Sequence, residues 1–371
     1  MRVFLVVTHG RGSLDLYSIR LSSYLQAPTL HTDAYQRVRE RFHKPLFSPS
    51  TLKELHFIWK FAKTLDKLEG IPHLPNHHLG RIGLLLKKPF IITVHDLIRY
   101  FDAKGYGPLI HKPNLKDRLL LRSDYEGVKK AVKIIVPSQR TKLDVVKHLE
   151  VPEEKVEVIY HGIDEIFKPT YGWRPCEEPY ILYVGSEHPR KNLATLFKAF
   201  SRVKQENPEL KDLKLVKAGR AGGREAKFRE ETLRLTRDLG ISEDVIILDW
   251  VPQSCLASLY TGAELFAFPS LYEGFGWPPL EAMACGCPVL SSNAACMPEV
   301  LGDAALYVDP WDVEGWKQAL ATMLTDEGLR RKLAYKGMER ASRFTWRRAA
   351  EQTLALYKEV EEGLSSTLKC A

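Results

Sequence analysis

The chain is 371 residues long, which is more than one ordinary core needs and favours two domains. Its 44% hydrophobic and 27% charged residues are typical of a globular protein. The sequence has no apolar run of about 18 residues, so a membrane-spanning helix is not expected. The formal net charge of +8 favours an anionic partner, but no nucleic-acid-binding motif accompanies it, so nucleic acid is not expected.

The opening residues MRVFLVVTHG predict a buried strand that runs into a glycine-bearing loop rather than a secretory signal. A cytoplasmic protein is therefore expected. Six cysteines do not suggest a disulfide scaffold in a chain of this length. Cys285, Cys287 and Cys296 lie close together in sequence, but they lack the CxxC spacing of a metal site. We interpret them as small packing residues at a helix end.

The excess of positive charge is concentrated between residues 36 and 69, where eight Lys and Arg residues stand against four acids. Leu52, Leu55, Trp59 and other large apolar residues are interleaved with them. Such a segment is typical of a helix that lies on an anionic membrane surface, here the inner face of the cytoplasmic membrane. It is equally typical of a solvated helix whose aromatic side chains face the core. The sequence leaves both interpretations open.

Short apolar runs alternate with amphipathic helical patterns along the chain, which is the signal of parallel sheets with crossover helices. We predict an α/β fold with two Rossmann-like, doubly wound domains that face a cleft. The clearest helical patterns in the first half are 14–25, 52–68, 115–131 and 141–149, and the predicted strands are 3–7, 90–94, 133–136, 156–159, 180–184, 213–218, 245–248, 265–268, 288–290 and 305–308.

The segment FKPTYGWRP at residues 167–175 is rich in proline and glycine and has no periodicity, so it marks the domain boundary. We predict one domain at residues 1–168 and a second at 169–345. Doubly wound domains bind ligands at the carboxyl ends of their strands. The active site is therefore expected in the cleft between the two domains.

Two glutamates flank a glycine loop directly after a predicted buried strand. Gly274 and Gly276 let the backbone approach a ligand, and the helix predicted to begin near Pro278 offers free amides to an anion such as a diphosphate. A carboxylate from Glu273 or Glu281 accepts hydrogen bonds from sugar hydroxyls. Taken alone, each glutamate has a non-functional explanation. Glu273 can be a solvated loop acid, and Glu281 can be an acid that favours a first helical turn because of the helix dipole. Their pairing across this loop favours a nucleotide-sugar site.

The segment EGFGWPPLEAMACGCPVLSSN, which begins at Glu273, resembles the E-x7-E signature of glycosyltransferase family 4. The resemblance extends to VGSEHPRKNL, to PEV with GDAA near residue 300, and to HGID at 161–164. It covers residues 156–361 and is thinner before residue 133. It implies the GT-B architecture, a final helix at 346–371 that crosses back to the first domain, and a retaining, nucleotide-sugar-dependent hexosyltransferase.

By this resemblance the first domain lies on the acceptor side and the second domain binds the donor. Arg190 and Lys191 neutralise the departing nucleoside diphosphate. Ser186 stands where many members of the family have arginine. Glu273 contacts hydroxyls of the transferred hexose, and Glu281 contacts the ribose. The expected backbone contacts to the donor come from Gly274, Phe275 and Gly276.

In the first domain, the resemblance assigns roles to one histidine and to the first glycine loop. A lone histidine after a strand is often a satisfied structural residue, but the resemblance implies that His95 approaches the donor sugar and stabilises positive charge at the anomeric carbon. Asp96 is expected to orient His95 or to meet the acceptor. Gly10 and Gly12 are expected to let the diphosphate and the acceptor approach, in a GRGS sequence where the family has a GG pair.

The resemblance implies a front-side attack in which the leaving phosphate takes the acceptor's proton, so neither a protein base nor a metal is expected. GDP-mannose is the preferred donor, because the motifs resemble those of bacterial and archaeal polysaccharide mannosyltransferases. A UDP-sugar (glucose, galactose or GlcNAc) is the alternative. The expected acceptor is a saccharide or a lipid-linked saccharide in polysaccharide or glycoconjugate synthesis. A GT-B phosphorylase or epimerase fits less well, and a catalytically inactive nucleotide-sugar-binding protein is the most remote alternative.

Overall fold

In the computed structural model the described residues are 2–10, 12–34, 37, 49–107, 109–221 and 226–370, without the side chains of residues 50, 226 and 367–370. These residues form two compact units. The first unit holds those within 2–107, 111–162 and 345–370, and the second holds 109–110 and 163–344. The chain therefore changes unit after residue 162, within HGID, whereas the sequence placed the boundary at residue 168.

The first unit is built on a six-stranded parallel sheet. Its strands are short and mostly apolar, as expected for strands that are covered on both faces. The strand order is β2-β1-β3-β4-β5-β6, so that β2 and β3 lie on opposite sides of β1 and the topological switch point falls between β1 and β3. The strands are β1 (Val3–Thr8), β2 (Thr29–Thr32), β3 (Ile71–Leu74), β4 (Ile91–Thr93), β5 (Lys133–Val136) and β6 (Val156–Val158).

Helices connect these strands and bury their apolar faces against the sheet. Side-chain caps define some helix starts: the Asn114 side chain accepts a hydrogen bond from the amide of Asp117, and the Ser138 side chain accepts one from the amide of Thr141. The helices of this unit are α1 (Ser13–Tyr24), α2 (Pro49–Lys67), α3 (Gly80–Gly83), α4 (Ile98–Lys104), α5 (Leu115–Lys130) and α6 (Gln139–Leu149).

The second unit has a parallel sheet of order β12-β11-β10-β7-β8-β9, which is the Rossmann strand order with its switch point between β7 and β10. Its strands are β7 (Tyr180–Val184), β8 (Lys214–Ala218), β9 (Val245–Leu248), β10 (Leu265–Phe268), β11 (Val289–Ser292) and β12 (Ala305–Val308), and its helices are α7 (Leu193–Glu206), α8 (Ala226–Asp238), α9 (Gln253–Thr261), α10 (Trp277–Ala284), α11 (Met297–Leu301), α12 (Val313–Thr325) and α13 (Glu327–Ala341).

The last helix, α14 (Trp346–Cys370), belongs to the first unit. The amide of Val3 donates to Glu361 Oε1 at 2.8 Å. The hydroxyl of Tyr357 lies 2.6 Å from Nδ1 of His73 on β3. These contacts tie the last helix to two neighbouring strands of the first sheet, β1 and β3.

The alternation of strands and helices predicted from the sequence agrees with the two parallel sheets. Within the described residues, none of the helices is long and apolar enough to cross a membrane. Cys285, Cys287 and Cys296 are buried free cysteines, and Cys285 caps the carboxyl end of α10. That position agrees with their interpretation as packing residues. The described residues contain no group of three or more His, Cys, Asp or Glu side chains that could hold a metal ion.

Candidate functional site

The centre of the candidate site is the carboxylate of Glu273, in the loop that follows β10. Its Oε1 accepts hydrogen bonds from Arg190 Nη1 at 2.6 Å, from Lys191 Nζ at 2.7 Å and from Ser270 Oγ at 2.7 Å. Glu273 is only 8% exposed. One carboxylate oxygen thus holds two cations and a hydroxyl, and Oε2 accepts none of these three bonds.

The charge state of this cluster follows from its surroundings. Burial alone would raise the pKa of Glu273, because it removes water from the carboxylate. The positive charges of Arg190 and Lys191, with the hydrogen bonds from Lys191 and Ser270, outweigh burial and lower that pKa to about 2. Glu273 is therefore ionised at neutral pH.

Backbone hydrogen bonds place the two cations beside the glutamate. Arg190 and Lys191 form a single 3-10 turn between β7 and α7, and the amide of Leu271 donates to the carbonyl of Arg190 at 2.7 Å. Asn192 has a left-handed backbone with φ of +54°, and its side-chain amide donates to the carbonyls of Pro269 and Pro310 at 3.2 and 2.6 Å. The loops after β7 and β10 are thereby joined at the switch point of the second sheet, where Rossmann sheets bind ligands.

Arg190 has one N–H donor without a partner in the part of the chain that the structure describes. Its Nη1 also donates to the carbonyl of Tyr272 at 3.1 Å. Its Nε is buried and has no hydrogen-bond partner among the described residues. A buried guanidinium N–H without a partner costs stability, so it favours an anionic ligand at this point.

The glycine loop between the two glutamates is buried and closely packed. Gly276 has a φ of +92° and caps the amino end of α10, and a Cβ there would lie 2.4 Å from Met297 Cε. Only glycine fits this position without strain. Gly274 and Phe275 are also buried, and the ring of Phe275 packs against that of Phe344 at 5.7 Å.

The prediction that Glu281 lies in the first turn of its helix is wrong. α10 begins at Trp277, before the two prolines, so Glu281 falls in the second turn and the helix dipole does not account for it. The Tyr260 hydroxyl donates to Glu281 Oε2 at 3.0 Å. Burial raises the pKa of Glu281 to about 7, with repulsion from Asp164 adding to the rise and the Tyr260 hydrogen bond opposing it. The two glutamates thus have opposite electrostatic environments.

Ser186 makes hydrogen bonds with residues close to it in sequence. Its hydroxyl lies 3.0 Å from His188 Nδ1, and its carbonyl accepts from the Tyr183 hydroxyl at 2.9 Å. Arg190, later in the same loop, is one of the two cations that reach Glu273.

His95 follows β4 in the first unit and is nearly fully buried. Its Nε2 lies 2.8 Å from the carbonyl of Pro75, so Nε2 carries the proton and donates, which leaves Nδ1 as an acceptor. Burial lowers the pKa of His95 to about 4; the Pro75 hydrogen bond opposes this shift, and His78 adds to it. The ring is therefore neutral at pH 7. Asp96 Oδ1 accepts from the amide of Ile98, and the Pro75 carbonyl helps to orient His95.

The two glycines of the first loop differ. Gly12 is the N-cap of α1 with a φ of −91°, which any residue adopts. At Gly10 an added Cβ would lie 2.2 Å from Asp15 Oδ2. Gly10 therefore accommodates the buried carboxylate of Asp15, a residue that sequence analysis missed because a single acid in a first helical turn carries no distinct signal.

Family models match almost the whole chain. Residues 4–167 match the model of Glycosyltransferase Family 4, and residues 173–340 match that of the Glycosyl transferases group 1. The O-antigen chain mannosyltransferase B of Escherichia coli is 30% identical over 79% of this chain and 75% of that protein. The chain belongs to glycosyltransferase family 4.

Other relatives of this glycosyltransferase have different names. A D-inositol 3-phosphate glycosyltransferase of Corynebacterium diphtheriae is 30% identical over 80% of this chain and 72% of that protein. The chain spans about a third of the length of the WbdA mannosyltransferases of Escherichia coli that it also matches. Among solved structures, Anabaena Alr3699/HepE, crystallised with UDP and glucose, has a TM-score of 0.74 at 19% identity, covering 99% of this chain and 100% of that one. This likeness shows that the two proteins share the GT-B fold.

Proposed function

We propose that this glycosyltransferase transfers a hexose, with retention of configuration, from a nucleoside diphosphate to a saccharide or a lipid-linked saccharide. The observation that carries the proposal is the cluster of Arg190, Lys191 and Glu273 at the switch point of the second sheet. It combines two cations for a diphosphate with an ionised carboxylate for sugar hydroxyls.

The main task of the protein in this reaction is to stabilise the charges that develop as the bond to the diphosphate breaks. The bond from the anomeric carbon to the diphosphate breaks, the acceptor oxygen forms the new bond on the same face, and the acceptor proton passes to the leaving phosphate. Arg190 Nε and Lys191 stabilise the negative charge that develops on the diphosphate. Glu273 Oε2 holds a hydroxyl of the hexose, and Glu281 holds the ribose. Neutral His95 accepts through Nδ1 from a hydroxyl of the sugar.

The donor is GDP-mannose in this proposal. The similarity to the O-antigen chain mannosyltransferase B supports mannose, and that relative covers most of this chain. A UDP-sugar is the competing donor, since a protein of the same fold was crystallised with UDP and glucose.

A donor panel tests the proposal on the purified full chain. We expect GDP-mannose to raise the melting temperature, because a ligand that binds only the folded state stabilises it, and to be hydrolysed slowly without acceptor. UDP-glucose, UDP-galactose and UDP-GlcNAc are the comparison donors. Stabilisation and turnover with a UDP-sugar alone would show that this UDP-sugar, and not GDP-mannose, is the donor. Binding without turnover of any donor would identify a nucleotide-sugar-binding protein.

We also propose that α2 lies on an anionic membrane surface. Its buried face consists of Thr51, Glu54, Ile58, Ala62 and Leu65. The large apolar side chains of Leu52, Leu55 and Trp59 are 70%, 52% and 50% exposed. They alternate with exposed lysines, which is the chemistry of an interfacial helix. Of the basic residues in segment 36–69, Arg39, Arg41 and Lys44 lie outside the described residues.

Flotation with liposomes tests this surface. We expect the chain to float with phosphatidylglycerol vesicles at low salt and less at high salt, because screening weakens the attraction of lysines to anionic lipid. The double variant Leu52→Ser and Trp59→Ser should remain at the bottom of the gradient. Trp311→Ser, which removes a side chain that is 70% exposed in the second unit, should float like the wild type. Equal flotation of the double variant and the wild type would refute the assignment.

A further inference from the structure

The switch point of the first sheet, between β1 and β3, carries buried polar groups that the donor chemistry does not use. The loop and first helical turn after β1 contain Asp15, and the turn after β3 contains Asn76 and His77. Each of the three side chains is at most 2% exposed, and each has a polar atom without a hydrogen-bond partner among the described residues. Folding normally avoids such groups, because burial removes their water without replacing it.

Asp15 is a buried carboxylate directed at the first loop. Its Oδ2 packs over Gly10, as the distance of 2.2 Å to an added Cβ there shows. Its Oδ1 has no hydrogen-bond partner in the described part of the chain, and no cation of that part forms an ion pair with it. Asp15 Oδ1 is therefore able to accept a hydrogen bond from a ligand.

Asn76 and His77 provide hydrogen-bond donors, which Asp15 lacks. Asn76 Oδ1 accepts from the amide of His78 at 2.8 Å, which fixes the side chain, and its Nδ2 donors have no partner in the described chain. Both ring nitrogens of His77 are also without one. Burial, with His78 and His95 nearby, lowers the pKa of His77 well below its ordinary value. Its neutral ring has one donor and one acceptor.

The position of this turn connects it to the proposed chemistry. Pro75, whose carbonyl holds His95, directly precedes Asn76 and His77 in the chain. The ring of His77 is fixed by stacking on Tyr125, with ring centroids 5.8 Å apart and an interplanar angle of 14°. The unpartnered groups of this turn thus directly follow the residue whose carbonyl holds the candidate catalytic histidine.

We propose that Asp15, Asn76 and His77 form the subsite for the acceptor, and that the part of the acceptor bound there is an unphosphorylated saccharide. The proposal rests on the proposed function. Adjacent sugar hydroxyls both donate and accept hydrogen bonds, so they satisfy a carboxylate, an amide NH2 and a neutral imidazole together. A phosphate does not, since the carboxylate repels it and neither of the other groups carries a positive charge.

The test compares acceptors and variants of the full chain, with the donor that the panel identifies. We expect transfer to methyl α-mannoside or a mannobiose but not to mannose 6-phosphate or inositol phosphate. Asp15→Asn and His77→Phe should raise the acceptor KM by about ten- to hundredfold, the effect of losing hydrogen bonds in a buried site. Hydrolysis of the donor without acceptor should stay unchanged in both variants. Asp212→Asn, the same chemical change at an exposed position of the second unit, is the matched control.

The outcomes separate this inference from the proposed function. Normal donor hydrolysis with an unaltered acceptor KM in both variants overturns the acceptor subsite alone. Preference of the wild type for a phosphorylated acceptor overturns it as well. If no donor is turned over, the proposed function fails, and saccharide binding measured by saturation-transfer NMR decides the subsite: loss of the signal in Asp15→Asn supports it, and an equal signal in wild type and variant refutes it.

Discussion

Glu273→Gln is expected to reduce sugar transfer by about a hundredfold or more, because it removes a carboxylate oxygen that accepts hydrogen bonds from both Arg190 and Lys191. The same change should lower the free energy of unfolding at pH 7 by about 3 kcal/mol, the value that corresponds to lowering the carboxyl pKa from 4.5 to about 2. The loss removes a counter-charge from the buried Lys191 and from the partly buried Arg190.

The pH dependence of this stability has a definite sign. A carboxyl group with a lowered pKa stabilises the fold above its unfolded pKa, and that stabilisation is lost as the pH falls through its folded pKa. The difference between wild type and Glu273→Gln should therefore be full above pH 4.5 and should shrink towards pH 2. Urea unfolding followed by fluorescence across this range measures it.

Glu243→Gln is the matched control for this variant, since Glu243 is exposed and lies in the same unit. It should keep both transfer and stability. If Glu273→Gln is as active as this control, Glu273 neither positions the cations nor contacts the donor. If it is inactive but equally stable, the ion cluster acts in binding without supporting the fold.

The fold was largely predictable because most strands are uninterrupted apolar runs. The sequence does not predict β3, because its four residues, IPHL, include proline and histidine and show neither an alternating pattern nor an apolar run. β2 was missed for a related reason, as a short and partly exposed edge strand. Both are specified by pairing with β1, which is a tertiary effect that no local pattern reports.

The candidate site was predictable only where residues adjoin glycine loops. Glu273, Glu281, Arg190 and Lys191 lie in motifs, so their types and spacing could be recognised. That Arg190 and Lys191 share one oxygen of Glu273 depends on the loops after β7 and β10 meeting at the switch point, over about eighty residues of chain. The unpartnered atoms of Asp15, Asn76 and His77 have no sequence signal, because only the tertiary structure shows which buried polar atoms have no hydrogen-bond partner among the described residues.

The affinity of the wild type for its nucleotide sugar is expected to rise by about tenfold between pH 6 and pH 8, since the carboxylate form of Glu281 accepts both ribose hydroxyls and the free protein titrates this group near pH 7. The diphosphate of a nucleotide sugar has no ionisation in this range, so the change reports the protein. Glu281→Gln should bind about ten- to hundredfold more weakly at pH 8 and should show little dependence on pH.

Stability should change in the opposite direction to affinity. The raised pKa means that the neutral form of Glu281 suits its partly buried position, although the Tyr260 hydrogen bond favours the charged form. This contribution to stability is full below pH 4.5 and is lost as the pH rises through about 7. Relative to the wild type, Glu281→Gln should therefore be more stable at pH 8 than at pH 6. Titration calorimetry in two buffers of different ionisation enthalpy should detect release of a proton when the wild type binds donor. Binding without proton release, at an affinity equal at both pH values, would show that Glu281 does not meet the ribose as a carboxylate.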